Sequence, residues 1–141
     1  MTDLYPRLVV AGADAALAFY STAFGATVTE RFTDPDGKVV HAMVDVDGCR
    51  FAVKDADGYD PAPTAGAVPV IIALYVDDPD AVAARMVEHG ATVLFPVTDH
   101  DYGDRGGRLA DPYGHLWMIA RRTEELTAEE IQARTTAMLD S

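Results

Sequence analysis

Three cations, two tyrosines and a methionine recur at alternating positions of short β-branched runs, the spacing that places side chains on one face of a sheet. One series is Tyr5, Arg7, Arg50, Ala52, Lys54, Ala73, Tyr75, Leu116 and Met118. The other, Leu8, Val10, Phe51, Val53, Ile72, Leu74, Val76, Trp117 and Ile119, is apolar throughout and is expected to pack under helices. The mixed series has the composition of a ligand-binding face: guanidinium and ammonium groups for an anionic or carbonyl-rich ligand, and Tyr5, Tyr75 and Met118 to lie against a planar aromatic one. The alternatives are pairing of Arg7, Arg50 and Lys54 with nearby carboxylates and plain core packing of the tyrosines and methionine. His41 opens a further run, His41-Ala42-Met43, and by parity faces inward with Met43. Titrating near about 6.5, a histidine is the least costly acid-base group for catalysis, so His41 is the catalytic candidate, with a hydrogen-bonding role as the alternative.

The segment from Asp99 to Gly107, which includes Tyr102, crowds charge and glycine beside a strand and suits a mobile cavity lid. Its acids lack the glutamate that closes a 12-residue calcium loop. Asp104 and Arg105 are expected to pair with each other or with backbone. The chain carries no nucleophile elbow, Walker loop, dinucleotide fingerprint or paired-cysteine motif.

An internal repeat supplies the elements that position these residues. Gly25-Ala26-Thr27-Val28 recurs as Gly90-Ala91-Thr92-Val93, each time after an Ala-rich amphipathic stretch that itself follows a β-branched run. Polar turns and further strand-like segments come next, so each half reads β-α-β-β-β. Asp14 and Asp78 mark the helix starts, and Gly25 and Gly90 the stops. Leu17, Phe19 and Tyr20 in one helix, and Val82, Met86 and Val87 in the other, supply the buried stripe. The expected organisation is one domain: a first module over 1–56, a linker over 57–66, a second module over 67–122 and a helical tail over 123–141. Thr127-Ala128-Glu129-Glu130 has the form of a capping box for that tail, and Ile131 and Leu139 are its packing residues.

Composition narrows the function. A chain of 141 residues, 49% hydrophobic, can bury the core of one domain. A net charge of −12, with only 11 Lys and Arg, argues against nucleic acid, whose phosphates demand a basic face. The longest apolar runs fall short of the roughly 20 residues of a membrane helix. The single cysteine, Cys49, and the absence of a leader-like start point to a cytoplasmic protein.

Leu8-Val9-Val10, Ala15-Ala16-Leu17-Ala18-Phe19-Tyr20 and Ala23-Phe24-Gly25-Ala26 together resemble the first unit of the vicinal-oxygen-chelate superfamily, which includes glyoxalases, bleomycin-resistance proteins and dioxygenases. Asp111-Pro112-Tyr113-Gly114-His115-Leu116-Trp117 resembles its closing strand, and Gly103-Asp104-Arg105 the PhnB-like subgroup. The resemblance implies an α+β fold in which two βαβββ modules form a curved mixed sheet around a cavity, here with an added C-terminal helix. It also implies a homodimer and, in enzymatic members, a divalent metal held from the first and last strands of each module. Those ligand positions fall on Tyr5 and Ile71 and on Ala52 and Met118. A divalent ion wants carboxylate or imidazole donors. Two alkyl groups, a thioether and a neutral phenol do not supply them, so neither metal nor other cofactor is expected.

The resulting expectation is a metal-free protein that binds a small organic molecule, as in drug resistance by sequestration, through Tyr5, Arg7, His41, Met43, Arg50, Tyr75, Tyr102 and Met118. The alternative is an enzyme, a glyoxalase-like lyase, isomerase or cyclase, acting on a small carbonyl-containing or anionic metabolite with His41 assisted by Arg7 or Arg50.

Overall fold

The computed structural model describes the backbone of residues 3–64, 67 and 70–139 and the side chains of these up to residue 137. Its first part runs β1 (Arg7–Val10), α1 (Ala13–Phe24), β2 (Thr27–Thr33), β3 (Val39–Val46) and β4 (Cys49–Asp55). The same order returns as β5 (Ile71–Tyr75), α2 (Pro79–Glu88), β6 (Thr92–Asp99), β7 (Asp104–Ala110) and β8 (Leu116–Arg122), followed by α3 (Ala128–Leu139). The fold is therefore α+β, two βαβββ modules with a C-terminal helix. Residues 65 and 66 of the expected linker lie outside the described residues.

Each module makes a four-stranded mixed sheet, in the order β1-β4-β3-β2 and β5-β8-β7-β6. First and last strands pair in parallel, with Arg7 opposite Ala52 in one sheet and Ala73 opposite Met118 in the other. Both pairs are offset by the same 66 positions (73 − 7 and 118 − 52), so the repeat read in the sequence is a repeat of register. Two compact units result: one holds β1 to β4 with the β7–β8 turn Asp111–His115, the other β5 to β8 with α3.

Local chemistry sets the element boundaries. The β3–β4 hairpin turns on Asp47 and Gly48, both at positive φ (50° and 88°), as the tightest hairpin turn requires. Helix α2 starts as expected, with the Asp78 carboxylate accepting from the Ala81 N–H at 3.0 Å and Pro79 in the first turn. Helix α1 does not start as expected. Its N-cap is Gly12, which has no side chain to offer, and the Ala13 N–H instead donates to Asp55 Oδ1 at 2.7 Å. Asp14 lies in the first turn and pairs with Arg31. The Asp55 carboxylate also takes the Val39 N–H at 2.8 Å, so one side chain at the end of β4 secures the starts of both α1 and β3.

Helix α1 packs on β1, β3 and β4, and α2 chiefly on β6, β7 and β8. Beneath them Leu8, Val10, Phe51, Val53, Trp117 and Ile119 are buried, the strand parity expected of the apolar series. Ile72, Leu74 and Val76 are only half-buried, because β5 is a sheet edge outside the main footprint of α2. Val87, expected in the buried stripe, is exposed, and Ala83 takes its place against the sheet. The capping box of α3 forms: the Thr127 N–H donates to Glu130 Oε1 at 3.2 Å and the Glu130 N–H to Thr127 Oγ1 at 3.1 Å. Ile131 is exposed, and the side chain of Leu139 lies outside the described residues. Among the described residues no helix is long and apolar enough to cross a membrane.

The segment expected to form a lid is a hairpin. β6 continues through Asp99 and β7 begins at Asp104, with the His100 N–H donating to the Asp104 carbonyl at 2.8 Å. Its glycines serve close packing. A Cβ on Gly106 would lie 2.9 Å from Ala120 Cβ, and one on Gly107 would lie 2.7 Å from the Phe95 carbonyl oxygen.

Candidate functional site

The residues named from the sequence fall into two groups, one in each unit. In the first unit, Arg7, His41, Met43 and Arg50 lie on the sheet face opposite α1, and each is already engaged. Arg7 donates to the Val40 carbonyl at 2.8 Å. Arg50 pairs with Asp3 and lies over the Tyr5 ring at 5.4 Å. Lys54, 5% exposed, donates to Asp57 at 2.8 Å and Asp60 at 2.5 Å. The three cations read as ligand-seeking are thus each taken by a partner, Arg50 and Lys54 by carboxylates before and after their strand and Arg7 by a backbone carbonyl of β3. His41 stacks on Phe32 (6.0 Å, 18°) and Met43 is buried opposite Ala52.

The second unit brings Tyr75, Tyr102 and Met118 together with residues the sequence did not single out. Strand pairing sets Ala73, Met118, Arg108 and Phe95 in one row across the face away from α2, and Tyr75, Ala120, Gly106 and Thr98 in the next. Between Phe95 and Thr98 the ladder slips by one residue at Pro96-Val97, a bulge of the kind that re-aims a strand's side chains. Tyr75 donates its hydroxyl to Asp104 Oδ2 at 2.5 Å, and Arg122, over the Tyr75 ring at 5.7 Å, reaches within 4.0 Å of the same carboxylate. The expected Asp104–Arg105 pair does not form. As neighbours on one strand they point to opposite faces, and Arg105 binds Asp80 at 2.8 Å and Asp99 at 3.3 Å instead.

Tyr102 and its neighbours border two depressions of the unit. A groove of about 460 Å³ is lined by Tyr75, Tyr102, Asp104 and Arg122 from the sheet and by Glu124, Glu125, Leu126, Ile131 and Thr135, so α3 and the segment before it supply one wall, and three carboxylates border it. A smaller pocket of about 100 Å³ is lined by Phe95, His100, Tyr102, Arg108 and Met118, with Gly106 and Gly107 as its floor. Tyr102 borders both. His100 and Tyr102 stack as near-parallel plates (5.0 Å, 9°), and the His100 ring is tied through Nε2 to the Gly106 carbonyl at 3.0 Å.

Electrostatically the groove favours protonated tyrosines. The hydrogen bond to Asp104, followed by burial, raises the Tyr75 pKa above the usual tyrosine value. Burial, followed by the charge of Asp104, raises that of Tyr102. Both phenols are therefore hydrogen-bonding groups, not bases, at neutral pH. Arg108 was hidden in the sequence by the flanking Gly106-Gly107, which weakens the strand signal. The alternation Asp104, Gly106, Arg108 within β7 is what places it beside Met118.

The four positions that the resemblance assigns to metal do not fit a metal. Ala52 is fully buried and presents a methyl group, Ile71 and Met118 pair across the ladder with Leu116 and with Ala73 and Arg108, none of them a carboxylate or imidazole, and Tyr5 faces Arg50. Among the described residues no three His, Cys, Asp or Glu side chains are grouped so as to hold an ion.

Residues 4–119 match the family model of the Glyoxalase/Bleomycin resistance protein/Dioxygenase superfamily. An uncharacterized protein of Mycobacterium bovis is 38% identical, over 97% of this chain and 94% of its own length. An Arabidopsis thaliana gene product of known structure is 28% identical with a TM-score of 0.67, covering 85% of this chain and 98% of its own. TioX from Micromonospora sp. ML1 shares the fold at 24% identity and a TM-score of 0.68, over 86% of this chain and 99% of its own.

Proposed function

The chain belongs to the glyoxalase/bleomycin resistance protein/dioxygenase superfamily, and from that premise we propose that it binds a small organic molecule without a metal ion, sequestering it rather than transforming it. The observation that carries this reading is the groove of about 460 Å³ in the second unit, where Tyr75, Tyr102 and Arg122 stand opposite Leu126 and Ile131. Aromatic and apolar side chains with placed polar groups are the usual make-up of a small-molecule site, and here Asp104, Glu124, Glu125 and Thr135 add hydrogen-bond acceptors to those walls. The lack of donors at the four family positions removes the family's usual means of catalysis and leaves the walls. Drug sequestration, cytoplasmic residence, a homodimer and the PhnB-like placement belong to this proposal as its finer parts.

Equilibrium dialysis of metal-free protein against a panel of planar aromatic compounds, bleomycin among them, tests the reading. One chemical class should be retained at about one equivalent per chain, released intact on denaturation, and lost in Tyr102→Ala. Recovery of a chemically altered compound would replace sequestration with catalysis.

A catalytic reading is favoured by one contact, the 2.5 Å hydrogen bond from Tyr75 to the buried Asp104. Because the phenol gives its one proton to Asp104, its oxygen would accept a hydrogen bond from a substrate hydroxyl, while Arg122 beside it would donate to a substrate carbonyl. The pair would support a lyase, isomerase or cyclase on a carbonyl-containing metabolite, with Tyr75 in place of His41.

A further inference from the structure

We infer that the pocket beside the groove is a carboxylate subsite built on Arg108, so that the ligand is an aryl or conjugated monocarboxylate. This rests on the groove reading above and adds to it the charge and shape of the ligand.

Six of the other arginines in this acidic chain are matched, and Arg121 is exposed to water. Arg31, Arg50, Arg105, Arg122 and Arg134 each face a carboxylate, and Arg7 donates to a carbonyl. Arg108 makes neither kind of contact with the described residues. Its Nε is buried without a hydrogen-bond partner, and its guanidinium lies over the Phe95 ring at 5.6 Å. A buried donor left unpaired costs more than an ordinary hydrogen bond returns, so such a group is worth retaining when something outside the fold completes it. Among the described residues no carboxylate pairs with this guanidinium.

Three further features define the occupant. A guanidinium presents a planar fork matched to the two oxygens of a carboxylate. Only one such group faces the pocket, and Asp104 lies nearby on the same strand face, so a single negative charge suits the site better than a phosphate dianion. About 100 Å³ is room for the carboxylate and the atoms that bear it, not for a whole drug-sized molecule. The His100 and Tyr102 plates and the Phe95 ring line the same space, and Tyr102 borders the larger groove as well. A flat ring attached to the carboxylate would lie against Tyr102 and carry the remainder of the ligand into the groove.

The test uses benzoate and its neutral isostere benzamide on the full-length protein. The side-chain Nε–Hε resonance of Arg108, assigned by triple-resonance NMR, is followed during each titration. Benzoate should shift this resonance saturably, with benzamide at least tenfold weaker. Arg108→Met should weaken benzoate at least tenfold without lowering the unfolding midpoint followed by Trp117 fluorescence, and Arg108→Lys should recover only part of the affinity. Equal binding of benzamide and benzoate, or unchanged benzoate binding in Arg108→Met, overturns the carboxylate assignment while leaving the groove reading in place. No shift with benzoate also overturns it, since the groove is judged separately by the dialysis panel. The wild-type titrations decide the matter even if a variant fails to fold.

Discussion

The hydroxyl of Tyr20 donates a 2.6 Å hydrogen bond to Asp111 Oδ2, joining the middle of α1 to a turn 91 positions later in the chain. Tyr20 is fully buried and Asp111 is 5% exposed. The other Asp111 oxygen takes the Tyr113 and His115 N–H groups at 2.9 and 3.0 Å, so this carboxylate shapes its own turn while holding the helix. His115 then donates through Nε2 to the Val9 carbonyl at 2.9 Å, fastening the same turn to β1.

Tyr20→Phe should therefore destabilise the fold by about 1.5–3 kcal/mol, the range for a lost hydrogen bond to a charged group. The pH dependence has a definite sign. Burial, followed by the Asp111 charge, holds the Tyr20 phenol well above its ordinary value near 10. The folded state thus keeps the proton more tightly than the unfolded state, a contribution that is whole below about pH 10 and is lost as pH rises toward the folded value. Urea titrations from pH 7 to 11 should show wild-type stability falling above pH 10 more steeply than that of Tyr20→Phe. Parallel curves would show that Tyr20 ionises alike in both states.

Trp117 and Tyr75 test the two faces of the second sheet. Trp117, 1% exposed, should cost about 3–5 kcal/mol on truncation to alanine, through lost burial and the cavity left behind. Tyr75, 47% exposed, should cost only about 1–1.5 kcal/mol as Tyr75→Phe, which removes its bond to Asp104 and keeps the ring. Chemical denaturation with ligand retention measured in parallel separates them: Tyr75→Phe should weaken retention of the compound found by dialysis, whereas the native fraction of Trp117→Ala should retain it.

Gly107→Ala probes the bulge that presents Phe95. The added Cβ would stand 2.7 Å from the Phe95 carbonyl oxygen and 2.8 Å from the Val97 nitrogen, both backbone atoms, so β6 must move. A loss of about 1–3 kcal/mol is expected from such overpacking. Gly58→Ala, where a Cβ meets nothing within 4 Å, should stay within about 0.5 kcal/mol. Equal denaturation midpoints for the two variants would show that the strand accommodates the methyl.

Elemental analysis of untagged, dialysed protein should find well under one equivalent of zinc, nickel, manganese or iron per chain. The reason is the donor chemistry of Tyr5, Ala52, Ile71 and Met118. One tightly held ion per chain would require ligands other than these four.

The dimer proposed from family membership should scatter light as a particle of about 30 kDa, twice the 15.1 kDa chain. A particle of chain mass at micromolar concentration would confine the binding site to residues of a single copy.

The sequence by itself determines the element order and the register, because hydrophobic periodicity, turn residues and the Gly-Ala-Thr-Val repeat are local signals that tertiary packing has no reason to contradict. It also marks Leu8, Phe51 and Trp117 as core, since strand parity follows from the alternation alone. What it does not determine is who partners whom. Asp14 stands next to the start of α1, yet Asp55 caps that helix from the end of β4. Arg105 follows Asp104, yet the two side chains leave opposite faces of β7. Arg7, Arg50 and Lys54 have the right parity for a binding face, but Val40, Asp3, Asp57 and Asp60 reach them first, while Arg108 lies over Phe95 and pairs with no carboxylate among the described residues. Hydrogen bonds and ion pairs are settled by distances of a few ångströms between residues far apart in the chain, so the competition for each charge is decided only once the strands are paired and the turns are docked.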